Sequence, residues 1–214
     1  MNSIFIPQRP VRRFIPETFA ITTWSDIKPW FDNLANRPIH SADDLRAWFR
    51  DRSELESAIS EDLGWRYIKM TCYTEDKSLL QRYQDFVENI QPQIAPVSDL
   101  LNRKAAESPF LKELSQEEGF FILIRNLRKD IEIFREENVP IFTEINLESQ
   151  KYAQLNGAMT IPWKGQELTM QQAAVLLQET DRTIREEVYR LMTARRLKDK
   201  ETLDGLYTKL IDLR

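Results

Sequence analysis

Apolar residues recur with a helical period over most of the chain, and short polar or proline-containing segments separate the periodic stretches. The clearest stretch covers residues 165–214, where successive apolar stripes predict two or three consecutive helices. Thr169 and Gln172 have the spacing of a capping box, and Thr180 and Asp181 predict the next N-cap. The stripes comprise Ala173, Leu176 and Leu177, then Ile184, Val188, Leu191 and Met192, then Leu203, Leu206, Tyr207 and Leu210.

The first half of the chain shows the same alternation of caps and apolar stripes. Residues 24–34 predict a helix with Trp30, Phe31 and Leu34 on one side, ended by Pro38. Capping-box spacings predict three further helix starts, at Ser41 with Asp44, Ser53 with Glu56, and Ser115 with Glu118. Ser108-Pro109 predicts another start, with serine as N-cap and proline as the first helical residue.

A regular apolar period from Asp76 to Leu101 predicts a helical run, and Pro92 and Pro96 within it predict a kink. Gly64 is expected inside a helix, although glycine costs about 1 kcal/mol there against alanine.

Residues 138–165 are the region where strands are expected. Pro140 is predicted to stop the preceding helix, and residues 147–155 fit a short helix with Tyr152 pointing inward. The alternation of AMTIPW and the turn signal Lys164-Gly165 predict a small β-hairpin near residues 158–168. Pro162 is expected on its outer side, where no ladder bond is lost.

Residues 1–22 are predicted to form an extended arm, because Pro7, Pro10 and Pro16 each remove a backbone donor. The arm carries a basic cluster of Arg9, Arg12 and Arg13, which suits either an anionic partner or pairing with the chain's own acidic helices. The acidic total favours pairing within the chain.

The predicted fold class is therefore mainly α: a helical lobe over residues 23–214 with one small β-hairpin. Composition agrees, since 42% hydrophobic and 30% charged residues are ordinary for a globular domain of this length. The net charge of −4 argues against a nucleic-acid partner. Neither a secretory signal nor an apolar run of about 20 residues is seen, so we expect a cytoplasmic protein without membrane contact.

Few residues have the patterns of catalytic or metal-binding groups. His40 is the single histidine and HExxH is absent, so a surface histidine is favoured over a zinc ligand. Cys72 is the single cysteine and is expected to be a buried structural thiol. The acidic pairs are interpreted as complements to helix dipoles, and the tryptophans as core and interface aromatics. These residues are Asp43-Asp44, Glu117-Glu118 and Glu186-Glu187, and Trp24, Trp30, Trp48, Trp65 and Trp163.

Arg182 and Arg185 lie one helical turn apart and have a more specific alternative. Two guanidinium groups at this spacing could bind a peptide carboxylate. Ion pairs with Glu or Asp of the same chain are the favoured interpretation.

The motifs KGQELT, DRTIREE and LDGLYTKLIDLR, in this order and spacing, resemble the N-terminal half of oligoendopeptidase F-type zinc metallopeptidases, relatives of thimet oligopeptidase. WSDIKPWFDNL and SPFLKELSQEE are similar as well. The resemblance implies a helical protein with two lobes around a deep channel, with zinc held in the C-terminal lobe by an HExxH helix. It assigns no catalytic residue and no metal ligand to this chain, and it leaves the substrate-binding residues unknown.

The resemblance therefore implies a non-catalytic N-terminal lobe that forms one wall of a channel for short peptides, with the protein's own C-terminal catalytic domain as partner. The third apolar stripe still runs at Leu210 and Leu213, so we expect a longer protein, with this chain inactive alone. Two alternatives stay open. The chain could be a freestanding helical peptide- or protein-binding module, and an apolar patch of Leu206, Leu210 and Leu213 would favour a dimer.

Overall fold

The structure is a computed structural model that describes residues 11–214. Pro7, Arg9 and Pro10, which entered the predictions for the arm, lie outside the described residues. Helices dominate it, as predicted, and one two-stranded antiparallel sheet accompanies them. The elements are α1 (Trp24–Asn36), α2 (Ala42–Cys72), α3 (Lys77–Asp85), a π-helical turn (Phe86–Ile90), α4 (Gln91–Glu107), α5 (Leu111–Leu114), α6 (Phe120–Ile133), a 3₁₀ turn (Glu136–Asn138), α7 (Val139–Gly157), β1 (Thr160–Trp163), β2 (Gln166–Thr169), α8 (Met170–Leu176), α9 (Arg182–Lys198) and α10 (Lys200–Asp212).

These elements form two compact units. The first unit holds the described residues up to Trp65 together with Glu88–Glu136. The second unit holds Arg66–Val87 together with Glu137–Arg214. The sequence was interpreted as one lobe over residues 23–214, and no break in its hydrophobic pattern marks this division.

The core of the first unit forms where α1 packs on α4, and α4 packs on α5 and α6. Helix α1 buries Ile27, Phe31 and Leu34 and ends before Pro38, as predicted. Trp30, expected on the buried side, is only half-buried, and its ring packs edge-on against Phe14 at 5.3 Å between centroids. The arm therefore covers one flank of α1.

The carboxyl end of α1 is capped by side chains from other helices. The carbonyl of Leu34 accepts a hydrogen bond from Trp48 Nε1 at 2.9 Å and from Lys104 Nζ at 3.0 Å. The same ammonium group donates to the carbonyls of Ala35 at 2.7 Å and Arg37 at 2.5 Å. A cation is favourable here, because the last carbonyls of a helix lack backbone partners and carry the negative end of its dipole.

Helix α2 runs through 31 residues, so the predicted start at Ser53 is wrong. The start at Ser41 is confirmed, because the Asp44 N–H donates to Ser41 Oγ at 3.1 Å. A capping spacing is only a local preference, and it gives way here because Trp48 and Leu55 are fully buried on either side of Ser53. Gly64 lies within the helix, as predicted.

The kink predicted at Pro92 and Pro96 stays a prediction, but the helical run is interrupted just before Pro92, and Pro96 lies inside α4. The π-helical turn immediately precedes α4, and Pro92 occupies the first turn of that helix. Proline has no N–H to donate to a carbonyl four residues earlier, so it is tolerated in this first turn.

The helix starts predicted at Ser108-Pro109 and Ser115 are displaced or absent. Helix α5 begins only at Leu111. Ser115 Oγ donates to the carbonyl of Lys112 at 2.6 Å, so the predicted capping box does not form. Helix α6 instead starts after Gly119, whose φ of 87° turns the chain into the helix.

The second unit is built around the hairpin, with α8 and α9 packed on it. Lys164 and Gly165 both have positive φ, as a two-residue type I′ turn requires, which confirms the predicted turn. Pro162 faces Glu167 and is exposed. Because hydrogen-bonded and non-bonded pairs alternate from the turn, this pair is non-bonded and the missing N–H costs nothing. The core cluster comprises Met159, Ile161, Met170, Ala173, Val188 and Met192.

The caps predicted for α8 and α9 are confirmed. Thr169 N–H donates to the Gln172 side chain at 2.9 Å, and Gln172 N–H donates to Thr169 Oγ1 at 3.2 Å. The Asp181 carboxylate accepts from Thr183 N–H at 2.8 Å.

The third apolar stripe, in and just after α10, is less buried than the others. Leu206, Leu210 and Leu213 are half-buried, and Tyr207 is exposed.

Helix α7 differs from its prediction. It spans 19 residues with Pro140 in its first turn, so this proline starts a helix where a stop was expected. Tyr152, predicted to point inward, is 53% exposed. Glu148 and Gln150 are the buried residues of α7 instead.

The Glu148 carboxylate accepts from Lys151 at 2.7 Å and from Lys209 at 2.6 Å. These two ammonium groups lower the pKa of Glu148, while Glu148 and Glu144 raise the pKa of Lys209. The ion pair ties α10 to α7 within the second unit.

No helix among residues 11–214 has both the length and the apolar character that crossing a bilayer requires.

Candidate functional site

The described part of the arm, residues 11–22, is anchored to α2 by Glu54. Its Oε1 accepts from the backbone N–H groups of Arg13, Phe14 and Ile15 at 2.9 to 3.0 Å. Successive N–H groups turned toward one point form a concave anion site, which here holds a carboxylate of the same chain. Burial raises the pKa of Glu54, but the three N–H groups and the charge of Arg12 outweigh it and lower the pKa overall.

The arginines of the arm are used within the chain. Arg12 lies 3.8 Å from Glu61 of α2 and donates to the carbonyls of Pro16 and Glu17. Arg13 contributes its backbone N–H to Glu54. Pairing with an acidic helix is therefore the observed arrangement for Arg12, and Arg9 lies outside the described residues.

Replacing Glu54 with Gln is expected to loosen the arm, because a neutral amide oxygen binds three N–H groups more weakly than a carboxylate. Hydrogen exchange at the amides of Phe14 and Ile15 is expected to quicken about tenfold. The matched control is Glu56→Gln, two residues along α2, where the carboxylate pairs with Arg52 and with no other cation of residues 11–214. Equal exchange in both variants would contradict the anchoring role.

The same contact has a pH dependence with a defined sign. Because the folded-state pKa of Glu54 is lowered, its stabilisation is present above the ordinary glutamate pKa of about 4.5 and is lost as pH falls through the folded value. The amide proton shifts of Phe14 and Ile15, followed by NMR, should titrate below that pKa and stop titrating in Glu54→Gln.

A cleft of about 630 Å³ lies beside this anchor, between the arm and α2. Its charged lining consists of Arg12, Arg13, Arg50, Glu54 and Glu61. Arg12 pairs with Glu61, and Glu54 accepts hydrogen bonds from the backbone of residues 13–15. Much of the charge of this cleft is therefore satisfied within the chain.

A larger cleft of about 980 Å³ lies in the first unit between the end of α4, α5 and one face of α6. Leu111 and Ile124 are buried at its base, and Phe121 on its rim is 64% exposed. Its charged lining is Lys112, Arg125, Arg128, Lys129 and Glu132. The sequence alone assigned no role to Phe121 or to these charged residues. Phe121, Arg125, Arg128 and Lys129 nevertheless follow the helical spacing of one face.

The residues predicted to be inert are not assembled into a reactive site. His40 is exposed in the loop before α2. Cys72 is also exposed, at the end of α2, so the prediction of a buried thiol is wrong. The helical period did not reveal this, because burial depends on which neighbour covers the helix end.

The acidic pairs have three different environments. Asp43 and Asp44 lie in the first turn of α2, as predicted, and Asp44 accepts from the His40 N–H at 3.0 Å. Glu117 instead binds the guanidinium of Arg46, which lowers the pKa of Glu117.

The third pair lies close to the start of α9. Glu186-Glu187 follows the first turn of α9, and Glu186 pairs with Arg190 at 2.7 Å. The second pair lies just before α6 and the third just after the first turn of α9, so both lie near a helix start but outside its first turn.

Arg182 and Arg185 do not form a paired carboxylate site. Arg185 donates to the carbonyls of Glu179 at 2.6 Å and Thr180 at 2.8 Å, and it thereby holds the loop before α9. Arg182 is exposed. The favoured prediction, an ion pair with Glu or Asp, is also wrong for Arg185, because its acceptors are backbone carbonyls.

The tryptophans are only partly core residues. Trp48 is fully buried and Trp65 is 53% exposed. Trp24, Trp30 and Trp163 are half-buried.

The sequence resemblance implies zinc in a C-terminal lobe and assigns no metal ligand to this chain. Among residues 11–214, no group of three His, Cys, Asp or Glu side chains is placed to hold a metal ion. The 214-residue sequence also contains one histidine, whereas HExxH requires two.

Comparison with known proteins defines the class of the chain. Residues 14–134 match the Peptidase M3 N-terminal domain, and this chain belongs to that family. No curated protein matches the chain.

Several solved structures share the fold. A structure of an oligoendopeptidase F, determined by X-ray diffraction at 3.1 Å, is 20% identical with a TM-score of 0.82 over 95% of this chain. PZ peptidase A with an inhibitor is 18% identical with a TM-score of 0.82 over 94%. An oligoendopeptidase F from Bacillus anthracis str. Ames is 19% identical with a TM-score of 0.83 over 92%. The chain spans 36% of each of these three chains.

Proposed function

We propose that this chain is the non-catalytic N-terminal lobe of a zinc-dependent oligoendopeptidase, where it forms one wall of the channel that admits short peptides. The observation that carries the proposal is the family match at residues 14–134. Fold similarity over more than nine tenths of the chain to an oligoendopeptidase F supports it.

In this proposal the chemistry belongs to a C-terminal catalytic domain that partners this lobe. Zinc there would polarise the scissile carbonyl and activate water. The present chain supplies no ligand to that metal. Its role is to position peptides and to limit access to unfolded ones, and the proposed location is the cytoplasm.

The test is a measurement on the protein expressed from its native gene. Its intact mass, zinc content and cleavage of an internally quenched peptide are measured on one sample. We expect a mass well above 25.4 kDa, about one zinc per chain, and cleavage that a chelator abolishes. Residues 1–214 expressed alone should leave the same peptide intact.

The channel wall is tested separately with a peptide that carries a photo-reactive residue near one end. Irradiation in the native protein should attach the label to residues 11–214, and an excess of unlabelled peptide should prevent it. A native protein that ends at residue 214 without zinc would contradict the proposal, and it would favour the freestanding binding module.

A further inference from the structure

The larger cleft of the first unit has a charge opposite to that of the whole chain. Four cationic side chains and the carboxylate of Glu132 give its described lining a formal charge of +3, while the chain carries −4. A local excess of one sign in a concave surface attracts ligands of the other sign.

Much of this positive charge is available to a ligand. Among the described residues, no carboxylate lies in an ion pair with Lys112 or Arg128, whereas Lys129 has only a 3.5 Å contact with the exposed Glu132. Arg125 contacts the amide oxygen of Asn126, which carries no charge. Glu117, which follows the lining residue Gln116 in sequence, is paired with Arg46.

The cleft also has an apolar surface, formed by three side chains. Leu111 and Ile124 form its base, and the ring of Phe121 stands exposed on the same face of α6 as Arg125 and Arg128. Pockets of roughly 300–1,000 Å³ with an apolar base and a few polar groups are typical of ligand sites.

We propose that this cleft binds acidic peptide segments that carry an apolar side chain. The apolar residue would lie on Phe121, Leu111 and Ile124, and flanking carboxylates would meet Lys112, Arg125 and Arg128, to which arginine can bind bidentately. A nucleic acid is the less favoured ligand, because the basic surface is short and the chain as a whole is acidic. The inference stands independently of the proposed peptidase function, since it concerns binding by residues 106–132 alone.

The test is fluorescence anisotropy of the full chain with a fluorescein-labelled acidic octapeptide that contains two central leucines, at low ionic strength. We expect saturable binding that weakens with salt, and no binding of the matched lysine peptide. The double variant Lys112→Glu with Arg128→Glu should bind at least about tenfold more weakly.

The matched control is Lys77→Glu with Arg196→Glu, which makes the same charge change at two exposed sites outside the cleft. It should bind within about twofold of the unmodified chain. The neutral pair Lys112→Met with Arg128→Met should also weaken binding, and circular dichroism checks that each variant is folded.

Equal loss in the two charge-reversed variants would overturn the proposal, because the attraction would then be general. A short oligothymidylate that competes as well as the unlabelled peptide would overturn it too, in favour of a nucleic-acid site. Absence of peptide binding would equally refute it.

Discussion

Replacing Trp48 with alanine is expected to lower the free energy of unfolding by about 3–5 kcal/mol. Its side chain is fully buried, packs edge-on against Phe49 at 5.2 Å between centroids, and donates to the Leu34 carbonyl. The substitution therefore opens a cavity and removes a buried hydrogen bond together.

The control for this prediction lies on the same helix. Trp65→Ala removes the same atoms from α2 at a site that is 53% exposed, and it should cost well under half as much. Urea unfolding followed by far-ultraviolet circular dichroism measures both variants without relying on tryptophan fluorescence. Equal losses in the two variants would contradict the large contribution expected from the buried Trp48 side chain.

Replacing Lys104 with methionine is expected to cost about 2–3 kcal/mol, because the carbonyls at the end of α1 lose a charged donor. Lys104 is half-buried, and burial together with the charge of Arg37 lowers its pKa. Methionine keeps most of the length of the side chain, so the change isolates the donor from the packing.

Lys112→Met is the matched control for this second prediction. Lys112 lies on α5 in the same unit, is exposed, and donates to no acceptor among the described residues. Its loss should change stability by no more than about 0.5 kcal/mol. A similarly small effect of Lys104→Met would indicate that water satisfies the end of α1 as well as the ammonium group does.

These two predictions concern the part of the chain on which the family match rests. Residues 14–134 include α1, Trp48 and Lys104. The large cleft lies within the same match, on α5 and α6. Trp48→Ala should therefore change the stability of this domain, whereas the charge reversal at Lys112 and Arg128 should change its peptide binding.

The sequence by itself determined the features that depend on a few neighbouring residues. The helical period gave the fold class, the caps at Thr169 and Asp181 formed as predicted, and Lys164-Gly165 made the hairpin turn. Each of these uses hydrogen bonds or dihedral preferences within about four residues, so no distant partner is needed.

Only the tertiary structure decided which of these local preferences would prevail and which surfaces would be covered. Ser53 and Ser115 have capping spacing, yet neither starts a helix, and Cys72 and Tyr152 are exposed against expectation. The cap of α1 joins residues 70 positions apart, and the large cleft needs three helices to form. Burial and long-range pairing depend on chain segments far apart in sequence, which a periodic pattern does not encode.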